Sequence, residues 1–272
     1  MYFHGGKPFM ISLHHQKSKG IQKEDYPKME KVTSVTEGIN KMLRLRGREI
    51  PEYTYKHKAE GEYVDTLIYN GEEIPVFDDY YNTHMLYLAQ FGEETEKNSA
   101  LNVYSFVGRD VPLKELMFRE MYIAEYVLHT EIASVTAFLQ PNAANMILAM
   151  KNDTAANLDL GNTMAPGSMN QCQHRLITSK GAACDRGAGD YIAISLVNVF
   201  TSEKQEPIGY DDDQLSLYGL SDTDVQKVCT VHGIFTNQVD CSDWSARKAR
   251  YLKAIDAVYA SDAQGCTIPI TE

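Results

Sequence analysis

The chain lacks the glycine-rich turn with which many proteins hold a nucleotide. No G-x-G-x-x-G occurs in its 272 residues, and the nearest pattern, Gly187-Ala188-Gly189, has no third glycine. Such a turn places backbone N–H groups and a helix N-terminus against phosphate. Because it is missing, the sequence indicates no phosphate cradle, and a redox function would need a cofactor site from elsewhere.

Cysteine is sparse and shows no ligand spacing. The five cysteines are Cys172, Cys184, Cys229, Cys241 and Cys266, and no C-x-x-C occurs. This pattern suggests neither a disulfide framework nor a zinc site. It predicts free thiols in a reducing compartment, and hence a cytoplasmic protein without a structural metal.

Positive charge and long apolar runs are also scarce. The net charge is −11, whereas nucleic-acid affinity comes from clustered Lys and Arg, so a nucleic-acid partner is not expected. The longest apolar runs, such as 192–200, fall far short of the ~20 residues that span a bilayer. No membrane partner is expected either.

Short strands dominate what is present. Apolar residues occupy every second position from Leu101 to Val107, which is typical of a half-buried strand. Further strand candidates are 132–139, 145–150, 155–160, 175–178 and 191–200, with turn residues at Pro141-Asn142 and Asn152-Asp153. A tyrosine-rich hairpin is expected over 49–77, turning at Asn70-Gly71. The close spacing predicts an α+β fold with a large, mostly antiparallel open sheet.

Helices are expected to cover one face of that sheet. Helical spacing of apolar residues predicts helices over Val35–Leu45 and 83–91. The main cover is expected at 242–261, beginning at the cap Ser242 and ending at Gly265.

Three stretches of the chain carry a family resemblance. They are Gly6-Lys7-Pro8-Phe9-Met10-Ile11-Ser12-Leu13-His14-His15, the segment Tyr81-Asn82-Thr83-His84 leading into an apolar helix, and the final helix from Ala246 to Ser261 with Gly265-Cys266-Thr267-Ile268-Pro269-Ile270. Lys180-Gly181 after a strand adds a fourth match in the same order. Over nearly its whole length the chain resembles the Gfo/Idh/MocA oxidoreductases, which are NAD(P)-dependent sugar and cyclitol dehydrogenases.

The resemblance implies two regions. Residues 1–30 would be the last strand and linker of a nucleotide-binding domain that is otherwise absent, and residues 31–272 would be the family's C-terminal α/β domain. It also implies NAD or NADP as cofactor and a carbohydrate substrate. A separate nucleotide-binding chain and a homo-oligomer formed through the open sheet are further implied partners.

The departures from the family pattern concern the cofactor side. The family's glycine-rich turn and its E-K-P tripeptide, which lie upstream of the first matching strand, are absent. Met1 is therefore either an internal methionine of a longer gene or the start of a truncated one. The aspartate that often lies four residues before the family histidine is also displaced, since Tyr80 holds that position and Asp79 precedes it.

The candidate site is centred on His84. Oxidation of a secondary alcohol needs a base for the hydroxyl proton, and histidine suits this because its pKa lies near neutrality. His84 is that candidate, Asp79 would orient its ring, and Asn82, His14 and His15 would contact the substrate. Each has a plainer alternative: His84 caps a helix, Asn82 is an N-cap, and His14 and His15 are a solvated strand end.

Three functions remain open at this stage. In the first, the chain is the substrate-binding and catalytic half of an NAD(P)-dependent dehydrogenase acting on a sugar, cyclitol or glycoside, inactive without a nucleotide-binding domain. In the second, it is a non-redox structural or regulatory subunit that has kept the fold without the cofactor. In the third, it is a cofactor-independent sugar-binding module or lyase that uses His84 without hydride transfer.

Overall fold

The computed structural model describes residues 3–4, 7–8, 31–77, 88–89, 99–168, 171–179, 181–185, 197–201, 205–208, 217 and 219–270. Within these ranges the helices are α1 (Val35–Leu45), α2 (Leu113–Leu128), α3 (Asp222–Phe235) and α4 (Trp244–Gln264). The first five strands are β1 (Phe3–His4), β2 (Lys7–Pro8), β3 (Tyr53–Lys56), β4 (Asp65–Tyr69) and β5 (Glu72–Val76). The next five are β6 (Ala100–Gly108), β7 (Ile132–Gln140), β8 (Ala143–Met150), β9 (Ala155–Met164) and β10 (Gln171–Thr178). The last four are β11 (Gly181–Asp185), β12 (Val197–Thr201), β13 (Gln205–Ile208) and β14 (Ile268–Pro269).

The main sheet confirms the predicted α+β class. It has nine strands in the order β13-β12-β11-β10-β6-β9-β8-β7-β14. All its neighbouring pairs are antiparallel except β6 and β9, which run parallel with Leu101 opposite Ala156. The parallel pair arises because α2 and the β7–β8 hairpin carry the chain back between β6 and β9, and a crossover of that kind brings strands together in parallel.

A smaller layer lies beside the main sheet. Strands β3, β4 and β5 form a three-stranded antiparallel sheet, and the predicted turn at Asn70-Gly71 joins β4 to β5, both residues having positive φ. Helices α1 and α3 pack against each other, and α3 also contacts β5. The region predicted as one hairpin is thus a three-stranded meander.

Helices cover one face of the main sheet, as expected: they are the predicted α4 and also α2, which the sequence analysis did not predict. Helix α2 packs on β6 and β9, and α4 packs on β7, β14 and α2. The large side chains that fill this layer are fully buried, among them Phe118, Trp244 and Tyr251. One continuous apolar core links this layer to α1, α3 and the small sheet. The opposite face of the main sheet has no described element over it.

The helix boundaries follow local capping. Helix α1 has the predicted bounds, because the Ser34 side chain accepts from the Glu37 N–H and Glu37 Oε2 accepts in turn from the Thr33 N–H. Helix α4 begins at Trp244 rather than beside a Ser242 cap, since Asp243 occupies the N-cap position. The predicted end at Gly265 is confirmed, and this glycine adopts the left-handed conformation at φ 63°.

Two further expectations concern the strand at the start of the chain and the absence of a membrane span. Near the start, Phe3–His4 and Lys7–Pro8 form a short antiparallel pair. The rest of the strand expected through residue 13 lies outside the described residues, so the assignment of 1–30 to a nucleotide-binding domain stays a prediction. Among the described helices, none is long and apolar enough to cross a membrane.

Candidate functional site

The residues predicted for the active site all lie outside the described part of the chain. They are the catalytic candidates His84 and Asp79 and the substrate-contact candidates Asn82, His14 and His15. Their roles therefore stay predictions.

The described residues on either side of the 78–87 segment are fixed in the core. Phe77 is fully buried, and the ring of Trp244 meets it edge-on at 5.4 Å. On the far side Leu88 is fully buried, and the Ala89 carbonyl oxygen lies 2.6 Å from His129 Nε2. The residues that flank the segment of the predicted base thus belong to the buried core.

A buried carboxylate joins the small sheet to α3. Asp65 is 2% exposed and accepts from the Tyr55 hydroxyl at 2.6 Å, the Lys227 ammonium at 2.9 Å and the Lys58 N–H at 3.0 Å. Burial alone would raise the pKa of Asp65, but the charge of Lys227 and these hydrogen bonds outweigh it and lower that pKa. The carboxylate is saturated with donors, which fits a structural tie between layers.

A second saturated carboxylate joins α2 to α4. Glu125 accepts from Arg250 Nη2 at 2.6 Å, from the Tyr251 hydroxyl at 2.8 Å and from the Ile132 N–H at 2.9 Å. Burial raises the pKa of Tyr251 well above its ordinary value, and the phenol therefore stays protonated as a donor. This network holds the covering helices together and leaves the phenol no capacity as a base near neutral pH.

The open face of the main sheet forms a shallow groove of about 590 Å³. Its polar members are paired across strands, with the Asn157 amide donating to Asn102 at 3.0 Å and the Asn145 amide donating to Asp159 at 2.9 Å. Several apolar side chains on the same face remain exposed, namely Tyr104, Phe138, Ile147 and Ile177. An amide-rich face with aromatic side chains has the chemistry of a protein interface core or of a sugar platform.

No described residue forms a nucleotide cradle. The described crossover from β6 into α2 runs through Arg109-Asp110-Val111-Pro112, which has no glycine pair, and α2 carries Glu115 in its first turn. Glu115 is ion-paired with Lys58, so a side-chain carboxylate already lies at the helix end where a pyrophosphate would bind. Cofactor contacts are therefore assigned to none of the described residues.

The fold is shared with oxidoreductases of the Gfo/Idh/MocA type. Levoglucosan dehydrogenase in complex with NADH and L-sorbose matches with a TM-score of 0.55 at 11% identity, covering 72% of this chain and 65% of that one. A second structure of that enzyme, with NADH and levoglucosan, matches with a TM-score of 0.53 at 10% identity. An oxidoreductase from Agrobacterium radiobacter in complex with NAD+, L-tartaric acid and magnesium matches with a TM-score of 0.55 at 13% identity, covering 87% of this chain and 70% of that one.

These similarities establish the fold and not the activity, since one fold serves many functions. The chain spans less than two thirds of the length of levoglucosan dehydrogenase. No protein-family model matches the sequence, and no curated protein matches it either.

The structure also assembles one cluster that the sequence analysis missed. Glu120, Cys172 and His174 are the one group among the described residues whose side chains could together hold a metal ion. The signal was the Cys-x-His spacing in β10, because residues two apart on a strand share a face. Its third member comes from α2, a helix that the strand patterns did not reveal.

Proposed function

We propose that this chain is the substrate-side domain of an NAD(P)-dependent dehydrogenase that acts on a secondary hydroxyl of a sugar, cyclitol or glycoside. The observation that carries the proposal is the fold shared with levoglucosan dehydrogenase, whose structures contain NADH together with a sugar. The cofactor would be held by residues outside the described ranges or by a separate nucleotide-binding chain.

In this proposal His84 takes the hydroxyl proton of the substrate, and Asp79 orients the imidazole and stabilises its charged form. Asn82, His14 and His15 would hydrogen-bond to neighbouring hydroxyls. The complete burial of Phe77 and Leu88 supports this assignment, because a catalytic side chain needs packed neighbours and these two residues flank the segment that carries His84.

A sugar-binding module without redox activity is the second candidate. It is favoured by the missing G-x-G-x-x-G and by the acidic first turn of α2. The two candidates differ in whether bound sugar leads to reduction of the cofactor.

The deciding experiment uses the 272-residue chain with levoglucosan, L-sorbose and other sugars and cyclitols. Calorimetry measures sugar and cofactor binding, and absorbance follows NADH or NADPH formation. Under the main proposal the wild-type chain, alone or with an added nucleotide-binding chain, reduces the cofactor, and His84→Ala lowers turnover by roughly 10²-fold. His57→Ala, at an exposed histidine, is the matched control and should leave turnover unchanged.

The other outcomes are equally informative. Sugar binding without cofactor reduction supports the module. A chain that binds neither sugar nor cofactor contradicts both candidates, and unchanged turnover in His84→Ala removes that residue from the mechanism.

We further propose that the protein assembles as a homo-oligomer through the open sheet. The exposed side chains of Phe138 (59%) and Ile147 (52%) lie on that face, where a second copy would cover them. Light scattering should give at least a dimer, and Phe138→Lys should dissociate it. Leu45→Lys, at a 61% exposed leucine on α1, should not. A monodisperse wild-type monomer would contradict this assembly.

A further inference from the structure

Strand β10 sends alternate side chains to opposite faces of the main sheet. Gln173 and Arg175 line the groove on the open face. Cys172 and His174 therefore point to the face that α2 and α4 cover, and Cys172 stands opposite Ser105 of β6 in the strand register.

Helix α2 brings a carboxylate to the same place. Glu120 is fully buried, His174 is 2% exposed, and Glu120 Oε2 lies 2.7 Å from His174 Nε2. Burial alone would raise the pKa of Glu120, but His174, Arg119 and a hydrogen bond from Ser105 outweigh it and lower that pKa. Glu120 is therefore a carboxylate near neutral pH, and it accepts a hydrogen bond from the Nε2–H of His174.

The contact with Glu120 occupies Nε2 and leaves Nδ1 as the ring nitrogen on the side of the thiol. Nδ1 lies 3.8 Å from Cys172 Sγ, and it can accept the thiol proton when the imidazole is neutral with its hydrogen on Nε2. Glu120 Oε1 lies 4.0 Å from the same sulfur as a second acceptor. Cys172 is partly exposed whereas the other two members are buried, so Cys172 is the most exposed residue of the cluster.

A metal ion fits the cluster less well than a reactive thiol does. The nearest ligand atoms around zinc are roughly 3.3–3.8 Å apart, as bond lengths near 2.0–2.3 Å require. Here the three ligand atoms lie within 4.8 Å of one another, and Glu120 is already bonded to the histidine. The positive charge of Arg119 also acts on Glu120, which disfavours a second cation at this carboxylate.

We propose that Cys172 is a nucleophilic thiol, with His174 as its base and Glu120 as the positioning residue that orients the imidazole. The ligand class is a soft carbon electrophile. In reaction with iodoacetamide the sulfur attacks the methylene carbon, the S–C bond forms and the C–I bond breaks. Iodide leaves with the bonding electron pair, and the thiol proton passes to His174 Nδ1. This site is independent of the dehydrogenase proposal, because it uses none of the residues named there.

The test is alkylation of the full chain by iodoacetamide, with the rate at each cysteine followed by peptide mass spectrometry. Cys266 is exposed and serves as the internal reference. Cys184 is partly exposed like Cys172, and its sulfur is contacted by the neutral Gln173 amide at 3.1 Å. At pH 7 Cys172 should react about tenfold faster than either reference, at the low end for an assisting base.

The pH dependence separates a reactive thiol from one that is merely accessible. The titratable groups in contact with the sulfur are His174 on its own strand and Glu120 on α2. Glu120 in turn is acted on by the charge of Arg119 and by a hydrogen bond from Ser105 of β6, which stands opposite Cys172. From pH 8 to pH 6 the ratio of the Cys172 rate to the Cys266 rate should grow, because an unassisted thiol loses its small thiolate fraction over that range. A constant ratio, or a Cys172 rate below that of Cys184 throughout, would overturn the proposal with no variant needed.

Two variants then assign the roles. Glu120→Gln keeps the shape and can still contact the imidazole, and it should lower the Cys172 rate about tenfold while the Cys266 rate is unchanged. Cys172→Ser should remove the fast phase and leave the other four cysteines as they were. A Glu120→Gln chain that keeps its circular dichroism spectrum and its full Cys172 rate would remove Glu120 from the mechanism.

Discussion

Replacing Lys227 by methionine isolates the link between α3 and the small sheet. The Lys227 ammonium lies 2.9 Å from Asp65 Oδ2 and is 18% exposed, whereas the carboxylate is 1% exposed. Methionine keeps most of the aliphatic length and removes the charge. The variant leaves Asp65 as a buried carboxylate that retains only its other donors.

The expected loss in the free energy of unfolding follows from the burial of Asp65. Removing one partner of a fully buried pair costs about 3–5 kcal/mol. Asp65 keeps the Tyr55 hydroxyl and the Lys58 N–H as donors, and His57 Nδ1 lies 3.4 Å from Asp65 Oδ2. Since Lys227 is also partly hydrated, we expect the variant to lose about 2 kcal/mol of unfolding free energy at pH 7. Lys253→Met, at an exposed lysine on α4, is the matched control and should cost less than about 0.5 kcal/mol.

The pH dependence has a definite sign. The pKa of Asp65 is lowered on folding, so its charge stabilises the folded state above the unfolded-state pKa of about 4. That stabilisation is lost as the pH falls through the lower folded pKa. Without Lys227 the folded pKa rises, so the difference between wild type and variant should shrink below about pH 4.

Urea denaturation at pH 7 and at pH 3.5 measures both effects. In an Asp65→Asn background the cost of Lys227→Met should fall to less than about 0.5 kcal/mol, because no buried charge is then left behind. A difference that is equal at both pH values and persists in that background would refute the argument and assign the effect to lost packing.

Three further substitutions test the packing by the same denaturation assay. Gly219→Ala should lower the free energy of unfolding by about 2 kcal/mol or more, because Gly219 has φ +107° and the new methyl would lie 2.6 Å from the Val32 carbonyl oxygen. An unchanged urea midpoint would contradict that backbone conformation. Phe77→Ala should cost about 3–5 kcal/mol through the cavity left in the aromatic cluster, and a loss under 1 kcal/mol would contradict its burial. Ser261→Ala should cost about 1–3 kcal/mol, because its hydroxyl accepts from the Ala137 N–H at 2.9 Å and donates to the Cys266 carbonyl at 2.7 Å; a neutral result would mean that water replaces it.

The strands of the main sheet could be predicted because their local patterns agree with their environment. The alternation of apolar and polar residues from Leu101 to Val107 and turns such as Asn152-Asp153 are typical of a sheet with one covered face. Strands β6 to β9 lie where these patterns predict them. Asp153 adopts φ 66°, as its place in a tight turn requires.

Helices α2 and α3 were not predicted, and for α2 there is a physical reason. Helix α2 is buried on nearly all sides, including at Met117, Phe118, Met121 and Tyr122, so it lacks the polar stripe that marks a surface helix. Missing it also hid the parallel pairing of β6 with β9. The thiol cluster could not be predicted either, because Glu120 and His174 are 54 residues apart in the chain and meet only through that helix.

The position of β6 has a consequence for how the sheet is assembled. Strands β9 and β10 follow each other in the chain, yet β6 lies between them. The sheet therefore cannot grow by adding hairpins in chain order: β7, β8 and β9 form a local meander, and β6 joins it only through contacts made over some 50 residues. Closing a loop of that length costs chain entropy before the contacts that it permits can stabilise the fold. This favours slow folding. The same insertion of β6 places Ser105 opposite Cys172 of β10, so the surroundings of the proposed thiol site also depend on contacts between distant parts of the chain.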